Sequence, residues 1–244
     1  MYPSSAKKFY SIILLVVINA GAYAQITRKI ELGLNAIAFV YQGDLTPSRI
    51  GSYKTMSLGL GVFANYKLNP LFSLKTALAH GRLKGDDSKF DHPAWRQQRN
   101  FKFTTPVTEI SESVLWNIVP RRKLTPYLSA GIGYAFLNIK RDYSNFNPAY
   151  FAEDGTITQG LATDISHSLP KGLLVFPVGA GARFAVSNTI SLNAESAYRF
   201  NSSDYLDGFS QGANPDKKDH FFTHSLGLIF SFGKKLGGLN CPVL

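Results

Sequence analysis

One pattern recurs along most of this chain of 244 residues: large apolar residues alternate with small or polar ones. The segment at 220–232, HFFTHSLGLIFSF, is typical. One of its faces carries large apolar side chains, namely Phe222, Leu226, Leu228 and Phe230. The other face carries small or polar ones, namely Thr223, Ser225, Gly227 and Ser231. A period of two indicates a β-strand whose two faces meet different surroundings.

Eight segments follow this pattern, near 29–41, 56–68, 72–83, 101–118, 126–136, 174–186, 190–200 and 220–232. The connections alternate between short turns at 68–71, 119–125 and 186–189 and long segments at 42–55, 85–99, 138–172 and 201–219. An even strand count with alternating short and long connections is typical of outer-membrane barrels. In a bilayer a sheet must close on itself, because every backbone N–H and C=O needs a partner. The sequence therefore predicts an all-β, eight-stranded antiparallel transmembrane barrel with short periplasmic turns and long extracellular loops.

A soluble β-sandwich or lipocalin-like barrel is the alternative, and it would turn its apolar face inward and a charged face to water. Only 17% of the residues are charged, and the polar faces of these strands are too poor in charge for a solvated exterior. Aromatic residues also gather near the strand ends, as expected of girdles at the two membrane interfaces. The apolar face is thus predicted to contact lipid.

The opposite face points into a barrel that has little space for anything except side chains. Glycine at positions such as Gly59 and Gly181 on this face is expected because the opposite wall of the barrel is close and leaves no room for a larger residue. Five charged residues also point inward by alternation: Lys75, Glu109, Arg183, Glu195 and Arg199. Buried charges need partners. We therefore predict an interior charge network that plugs the barrel rather than a conducting path.

Residues 1–24 read as a signal peptide, with two lysines, a short apolar core and the cleavage site Ala22-Tyr23-Ala24. The apolar run is short for an uncleaved membrane anchor. The predicted organisation is a signal peptide at 1–24, a barrel domain at 25–232 and a periplasmic tail at 233–244, in a protein exported to the outer membrane. Cys241 is the only cysteine, so a disulfide framework is excluded.

The chain is basic, with a formal net charge of +10, and many of its cations fall at the predicted periplasmic end. Arg121, Arg122 and Lys123 are consecutive in one turn there. They would either attract anionic lipid headgroups or form a docking rim for an acidic periplasmic partner. The predicted partners are outer-membrane lipid and periplasmic proteins, and nucleic acid is not among them.

Catalysis would require a nucleophile, a base and an orienting carboxylate within hydrogen-bonding reach. With tight hairpins, His80 and Glu112 would be neighbours on the lipid face, where Thr76 and Thr108 are weak candidate nucleophiles. The alternative is that His80 pairs with Glu112 to shelter a costly charge in the membrane. One His beside one Asp, at Asp91 and His92, does not make a metal site. The protein is therefore predicted to be non-enzymatic, with no catalytic, cofactor-binding or metal-binding residues.

Four stretches resemble one known family: YQGDLTPSRIG at 41–51, HGRLKGDDS at 80–88, TPYLSAGIGYAF at 125–136 and YRFNSSDYLDGFS at 198–210. It is the small outer-membrane barrel family that includes the barrel subunit of the type IX (Por) secretion system. The resemblance implies a barrel without enzymatic activity that serves as a membrane-embedded adaptor beside a periplasmic ring of secretion proteins. The alternative is a structural or adhesion barrel that binds ligands through its extracellular loops. Two features depart from the family pattern, the outward Glu112 and the tail at 233–244.

Overall fold

The computed structural model describes residues 30–48, 50–120, 122–153, 155–215 and 218–232. The predicted signal peptide, the predicted tail and Arg121 lie outside the described residues. These described residues contain nine strands: β1 (Ile30–Gln42), β2 (Ser57–Lys67), β3 (Phe72–Asp86), β4 (Lys102–Asn117), β5 (Leu124–Leu137), β6 (Lys140–Asp142), β7 (Gly172–Ala185), β8 (Ile190–Phe200) and β9 (His220–Ser231). Two α-helices lie in the long connections, α1 (Trp95–Arg99) and α2 (Thr156–Ser166). In the described part of the chain no helix has the length and apolarity needed to cross a membrane.

The eight long strands form one closed antiparallel barrel. Each pairs with its neighbours along the chain, and β1 pairs with β9 from Glu31 opposite Ser231 to Gln42 opposite His220. The ninth strand, β6, is three residues long and pairs with the outer end of β4 instead of entering the barrel wall. The predicted all-β fold with eight antiparallel strands is confirmed.

The two faces of the strands differ as the alternation predicts. Leu34 and Leu58 on the outer wall are 51% and 75% exposed, whereas Asn35, one residue along β1, is 8% exposed. Exposed aromatic rings form a band at each end of the barrel. One band includes Phe72, Trp116 and Phe184, and the other includes Tyr134, Phe136, Phe176 and Phe200. Apolar surface of this extent, bounded by aromatic rings, is suited to lipid and not to water.

The inward glycines have a different reason for being small than the sequence suggested. A Cβ on Gly59 would collide with the ring of Phe39 on β1 and with the backbone of β3. A Cβ on Gly181 would collide with the ring of Tyr127, which is its partner on β5. The crowding therefore comes from neighbouring strands, where an aromatic ring on one strand lies over a glycine on another. The expectation that the opposite wall is too close for a larger residue was wrong at these positions.

The outer part of the barrel extends beyond the membrane and carries a folded cap. β3 and β4 have 15 and 16 residues, more than the about 9–11 that a tilted strand needs to cross the bilayer. The long loops on this side fold over the barrel end and bury Leu45, Phe101, Leu206 and Phe209 completely. These side chains continue an apolar core that begins inside the barrel. By the rule that short turns face the periplasm, the cap is extracellular.

Candidate functional site

The barrel interior holds paired charges near its middle. Lys75 Nζ lies 3.0 and 2.8 Å from the two carboxylate oxygens of Glu195, and both side chains are about 10% exposed. The hydroxyl of Tyr127 donates to the same carboxylate at 2.7 Å. The same hydroxyl oxygen lies 3.0 Å from Oδ1 of Asn193, which precedes Glu195 by two residues on β8. The ammonium and the phenol together supply the donors that a buried carboxylate requires.

A second pair lies closer to the cap. Arg199 Nε donates to Glu109 Oε2 at 3.1 Å, and a further nitrogen of the guanidinium donates to the hydroxyl of Thr223. Glu109 is 1% exposed, so this carboxylate depends on Arg199 for its partner. Together with Lys75 and Glu195, these residues cross the lumen, and the apolar core fills the space above them. The remaining cavity here measures only 30 Å³.

The fifth predicted interior charge belongs to a different cluster. Arg183 lies at the periplasmic end, where its guanidinium is 2.8 Å from Glu31 Oε2. Lys67 lies 2.5 Å from the other oxygen of the same carboxylate. Glu31 was not singled out from the sequence, although its position on the polar face of β1 was a usable signal.

The periplasmic mouth of the barrel is an open cavity of 610 Å³. Its lining includes three cations, Lys67, Arg122 and Arg183, and one carboxylate, Glu31. Among the three residues predicted to dock a partner, Arg122 and Lys123 are exposed at this rim, and Arg121 is outside the described residues. Lys123 Nζ lies 5.1 Å over the ring of Phe184. The mouth therefore presents positive charge, whereas the opposite end is covered.

Two arginines and one aspartate hold the cap together. Asp87 is fully buried after the end of β3, and it accepts from Arg99 Nε at 2.7 Å and from Arg96 at 2.8 Å. Both guanidinium groups also donate to the backbone carbonyl of Asp44 in the first long loop. Helix α1 is thereby fixed to the start of its own loop and to the first long loop. Two cations around one carboxylate more than neutralise its buried charge.

A buried acidic pair lies beside this cluster. The hydroxyl of Tyr41 is 2.6 Å from Asp207 Oδ2 and 2.6 Å from Asp219 Oδ1, and both carboxyl groups are 0% exposed. A phenol carries one hydrogen, so only one of these contacts can be donated by Tyr41. The other contact requires a proton on one of the two carboxyl groups. Burial, and after it the neighbouring carboxylate of Asp44, raises the pKa of Asp207 well above its usual range. Burial and the carboxylate of Asp207 do the same to the pKa of Asp219.

A third anchor joins the last long loop to helix α2. Asp164 is fully buried, and its carboxylate accepts from the backbone N–H groups of Ser210, Gln211 and Gly212 at 3.1, 3.0 and 2.8 Å. None of these cap residues was predicted as a site. The stretch at 198–210, which contains Asp207, carried the family resemblance but gave no chemical signal of its own.

On the lipid face, the expected neighbours are separated. His80 lies opposite Thr108, and its Nδ1 is 2.8 Å from the threonine hydroxyl. Glu112 lies opposite Thr76 and accepts from its hydroxyl at 2.5 Å. The expected pairing of His80 with Glu112 was therefore wrong, and the three groups of a hydrolase are not brought together. Among the described residues, no group of three or more His, Cys, Asp or Glu side chains is arranged to hold a metal ion.

Fold and surface together define an outer-membrane β-barrel of the small, eight-stranded type with a filled lumen. A protein-family model, "Domain of unknown function (DUF6089)", matches residues 7–235, so the chain belongs to that family. A comparison with curated proteins found no match.

Several solved structures are similar to the chain. One is Ail, the attachment invasion locus protein of Yersinia pestis, in complex with the heparin analogue sucrose octasulfate. It is 12% identical over 83% of this chain and 97% of that chain, with a TM-score of 0.45. Neisserial surface protein A is 15% identical over 83% and 97% of the two chains, with a TM-score of 0.48. The outer membrane enzyme PagL is 13% identical over 81% and 97%, with a TM-score of 0.40. At such identities a likeness concerns architecture and does not extend to ligands or activity.

Proposed function

We propose that the protein is a non-enzymatic adaptor of the outer membrane. In this proposal the barrel anchors the protein in lipid, and the basic periplasmic mouth docks an acidic segment of a periplasmic partner. The sequence resemblance to the type IX secretion barrel suggests a partner in a periplasmic ring of a type IX-like secretion apparatus. Outer-membrane localisation accords with the lipid-facing wall of the barrel.

The difference between the two barrel ends is the observation that supports this proposal. The extracellular end is closed by buried ion pairs and an apolar core, whereas the periplasmic end is an open cavity of 610 Å³. Lys67 and Arg183 share the single carboxylate of Glu31, and Arg122 adds a third, exposed cation to the rim. An acidic segment entering the mouth would meet this excess of positive charge, which favours association and its rate.

A non-enzymatic role is supported by the lipid face. His80 and Glu112 each bind a different threonine, so among the described residues Glu112 does not orient the histidine. A serine-type or threonine-type mechanism needs that third group to hold the base in place.

The folded cap favours a second candidate function, adhesion through the extracellular loops. Tyr143 and Tyr150 are 36% and 54% exposed on a surface that buried ion pairs hold in one shape. Rigid, exposed aromatic rings are suited to binding a ligand at low entropic cost.

Charge reversal at the mouth tests the docking proposal. We expect an Arg122→Glu/Lys123→Glu variant to lose the identified periplasmic ring proteins that the wild type retains, in a pull-down from the native membrane. Lys171→Glu/Lys218→Glu, which reverses two exposed lysines at the extracellular side, is the matched control and should retain them. Raised salt should mimic the loss, because exposed charges are screened within about 8 Å at physiological ionic strength.

The gel shift of the folded barrel on heating confirms assembly of both variants. Recovery of the same ring proteins by a folded Arg122→Glu/Lys123→Glu variant would remove the docking proposal. Specific binding of a surface ligand to the cap, with no ring protein recovered by the wild type, would favour adhesion instead.

A further inference from the structure

A groove rich in lysine lies on the outer wall of the barrel, on the extracellular side. It measures 540 Å³ and runs along the outer ends of β3, β4 and β6 beside the first long loop. Five of its lining residues are lysines: Lys54, Lys84, Lys89, Lys102 and Lys140. We refer to it as the lysine groove. It is separate from the periplasmic mouth, which is at the other end of the barrel.

Strand register places two of these lysines, Lys84 and Lys140, in one row of the sheet. Lys84 on β3 lies opposite Thr104 on β4, which in turn lies opposite Lys140 on β6. One row of the sheet therefore carries a hydroxyl group with one ammonium group on each side of it. In the next row outward, Lys102 lies between Asp86 and Asp142. Lys84 and Lys140 are two strands apart in their row, and an anion between them would be attracted to both.

The two acids of the groove are already engaged by serines. Asp86 Oδ1 accepts from the backbone N–H of Ser88 at 2.9 Å and from its hydroxyl at 2.5 Å. Asp142 Oδ1 accepts from the N–H and hydroxyl of Ser144 at 2.9 and 2.7 Å. The salt bridges of the described residues all involve other cations than the five lysines. The lysine groove thus holds an excess of positive charge that the described part of the chain does not pair.

The height of the groove matches a lipid headgroup. Phe72 begins β3 in the periplasmic aromatic band, and a strand crosses the hydrocarbon in about ten residues. Arg82, which is exposed, therefore lies at the outer hydrocarbon boundary, and Lys84 lies two residues beyond it. Two strand residues at this tilt rise by about 5 Å, which is within the headgroup layer.

On its β2 side, the wall beneath the groove is apolar, whereas on β3 the exposed Arg82 and His80 lie directly below Lys84. Met56, which lines the groove, is followed on β2 by Leu58 and Leu60, which are 75% and 72% exposed. Further toward the periplasm, the outer surface of β1 to β4 has an apolar groove of 420 Å³ lined by residues that include Val62 and Leu78. A ligand in the lysine groove with its anionic part beside the lysines could therefore extend acyl chains along this wall.

We propose that the lysine groove binds the phosphate groups of an anionic lipid in the outer leaflet. The ammonium groups of Lys84 and Lys140 take one phosphate between them, and the hydroxyl of Thr104 donates to it. Lysine binds phosphate as a compact point charge with rotatable donors. The acyl chains lie over Leu58 and Leu60. A soluble anion would use only the lysines and gain nothing from the apolar wall, which is why a lipid is the occupant that the surface favours.

The test uses bisphosphorylated lipid A as the probe, with the same lipid lacking its phosphates for comparison. Native mass spectrometry of the detergent-solubilised full-length barrel measures lipid occupancy at increasing probe concentration. We expect Lys84→Gln/Lys140→Gln to weaken binding by about 25-fold, because each lysine at an anionic surface is worth about fivefold in affinity. Lys84→Arg/Lys140→Arg should bind as the wild type does. The control Lys171→Gln/Lys218→Gln, which removes two exposed lysines outside the groove, should also be unaffected.

The proposal is overturned if Lys84→Gln/Lys140→Gln binds lipid A as tightly as the control, or if the dephosphorylated lipid binds the wild type equally well. Equal occupancy by inorganic phosphate at the same phosphate concentration would also overturn it, since a bare anion would then suffice. The single variant Lys140→Gln guards against a folding defect, because β6 is outside the barrel wall. It should lose about fivefold in affinity. Pull-down of periplasmic proteins should be unaffected by these variants, because the groove and the periplasmic mouth share no lining residue, so the two proposals are tested separately.

Discussion

The shared proton between Asp207 and Asp219 makes the stability of the cap depend on pH. Tyr41 can donate to only one of the two carboxyl groups, so the folded cap holds a proton on the other. In the unfolded loop both groups would titrate near 3.9, the ordinary aspartate value. Above that value the folded cap binds more protons than the open one. Its stability is therefore fully present at low pH and is lost as the pH rises through the raised pKa of the pair.

The substitution Asp207→Asn removes this dependence. An amide keeps an oxygen to accept from the N–H of Phe209, as Asp207 Oδ1 does at 2.7 Å, and supplies an N–H toward Tyr41. It thus mimics the protonated acid at every pH. Loss of the proton in the wild type leaves a buried acceptor without a donor, which costs about 1–3 kcal/mol. Among the neighbouring charges, Asp44 increases this cost, and Arg99 reduces it for Asp207.

Hydrogen exchange of the loop at 201–219 measures this effect. The amides of Leu206 and Asp207 donate to Asp219, so their protection reports opening of the cap. After correction for the intrinsic pH dependence, we expect wild-type protection to fall between pH 5.5 and 8.5. In Asp207→Asn the fall should be smaller, because Asp204, whose pKa burial raises to about 6, still titrates in this loop. At pH 8.5 the protection of this variant should exceed that of the wild type by about 5- to 150-fold.

Asp142→Asn is the matched control for this experiment. Its exposed carboxylate is bound by the N–H and hydroxyl of Ser144, which lower its pKa, and its removal should leave the exchange of the loop at 201–219 unchanged. A wild type whose protection is the same at both pH values would refute the reasoning, as would an Asp207→Asn variant that keeps the wild-type pH profile.

Two further predictions concern the barrel itself. In planar bilayers the purified protein should give no stable porin-sized conductance, because the ion pairs of Glu195 and Glu109 and the apolar core fill the lumen; reproducible large current steps would contradict a filled lumen. Leu34→Lys should destabilise the barrel folded in lipid vesicles by up to about 2–4 kcal/mol, because Leu34 is half exposed on the lipid-facing wall. The inward substitution Ser225→Ala is a control for general sensitivity of the wall, and an equal loss there would contradict the assignment of the faces.

The strands and their faces could be predicted because alternation is a local property. Every barrel strand was found within a few residues of its observed bounds, since each segment carries its own period of two. The outer end of β3 lies three residues beyond the predicted end at 83. Both β3 and β4 extend past the membrane into the cap, where the alternation no longer separates lipid from lumen. β6 has only three residues and leaves no periodic signal.

The cap could not be predicted because its contacts join residues that are far apart in the chain. Tyr41 and Asp219 are 178 positions apart, and Asp44 and Arg99 are 55 apart. Each loop by itself is a polar segment, and its polarity does not reveal which charges become buried together. Strand register caused the error at His80. The pairing of β3 with β4 depends on the long loop between them, which the sequence does not resolve. In the observed register Glu112 lies opposite Thr76, four residues before His80 on β3.

Glu112 places a carboxyl group on the lipid-facing wall. Its replacement tests whether this group stabilises the single barrel or opposes its stability. Its side chain is exposed, with one hydrogen bond from Thr76. An acidic group facing lipid costs less than the about 2–4 kcal/mol of a lysine, and the bond to Thr76 recovers about 0.5–1.5 kcal/mol. We therefore expect Glu112→Leu to raise the urea midpoint of the isolated barrel in vesicles modestly, with no change in slope.

Ile110→Leu, an apolar exchange at an exposed neighbour on the same face of β4, is the control and should leave the midpoint nearly unchanged. A gain in stability for Glu112→Leu would mean that the carboxyl group opposes the stability of the single barrel, and its function would then have to be sought in a contact with another molecule in the membrane. A loss of more than about 1 kcal/mol would refute this reasoning, because the hydrogen bond between Thr76 and Glu112 would then stabilise the barrel wall by more than its exposure to lipid costs.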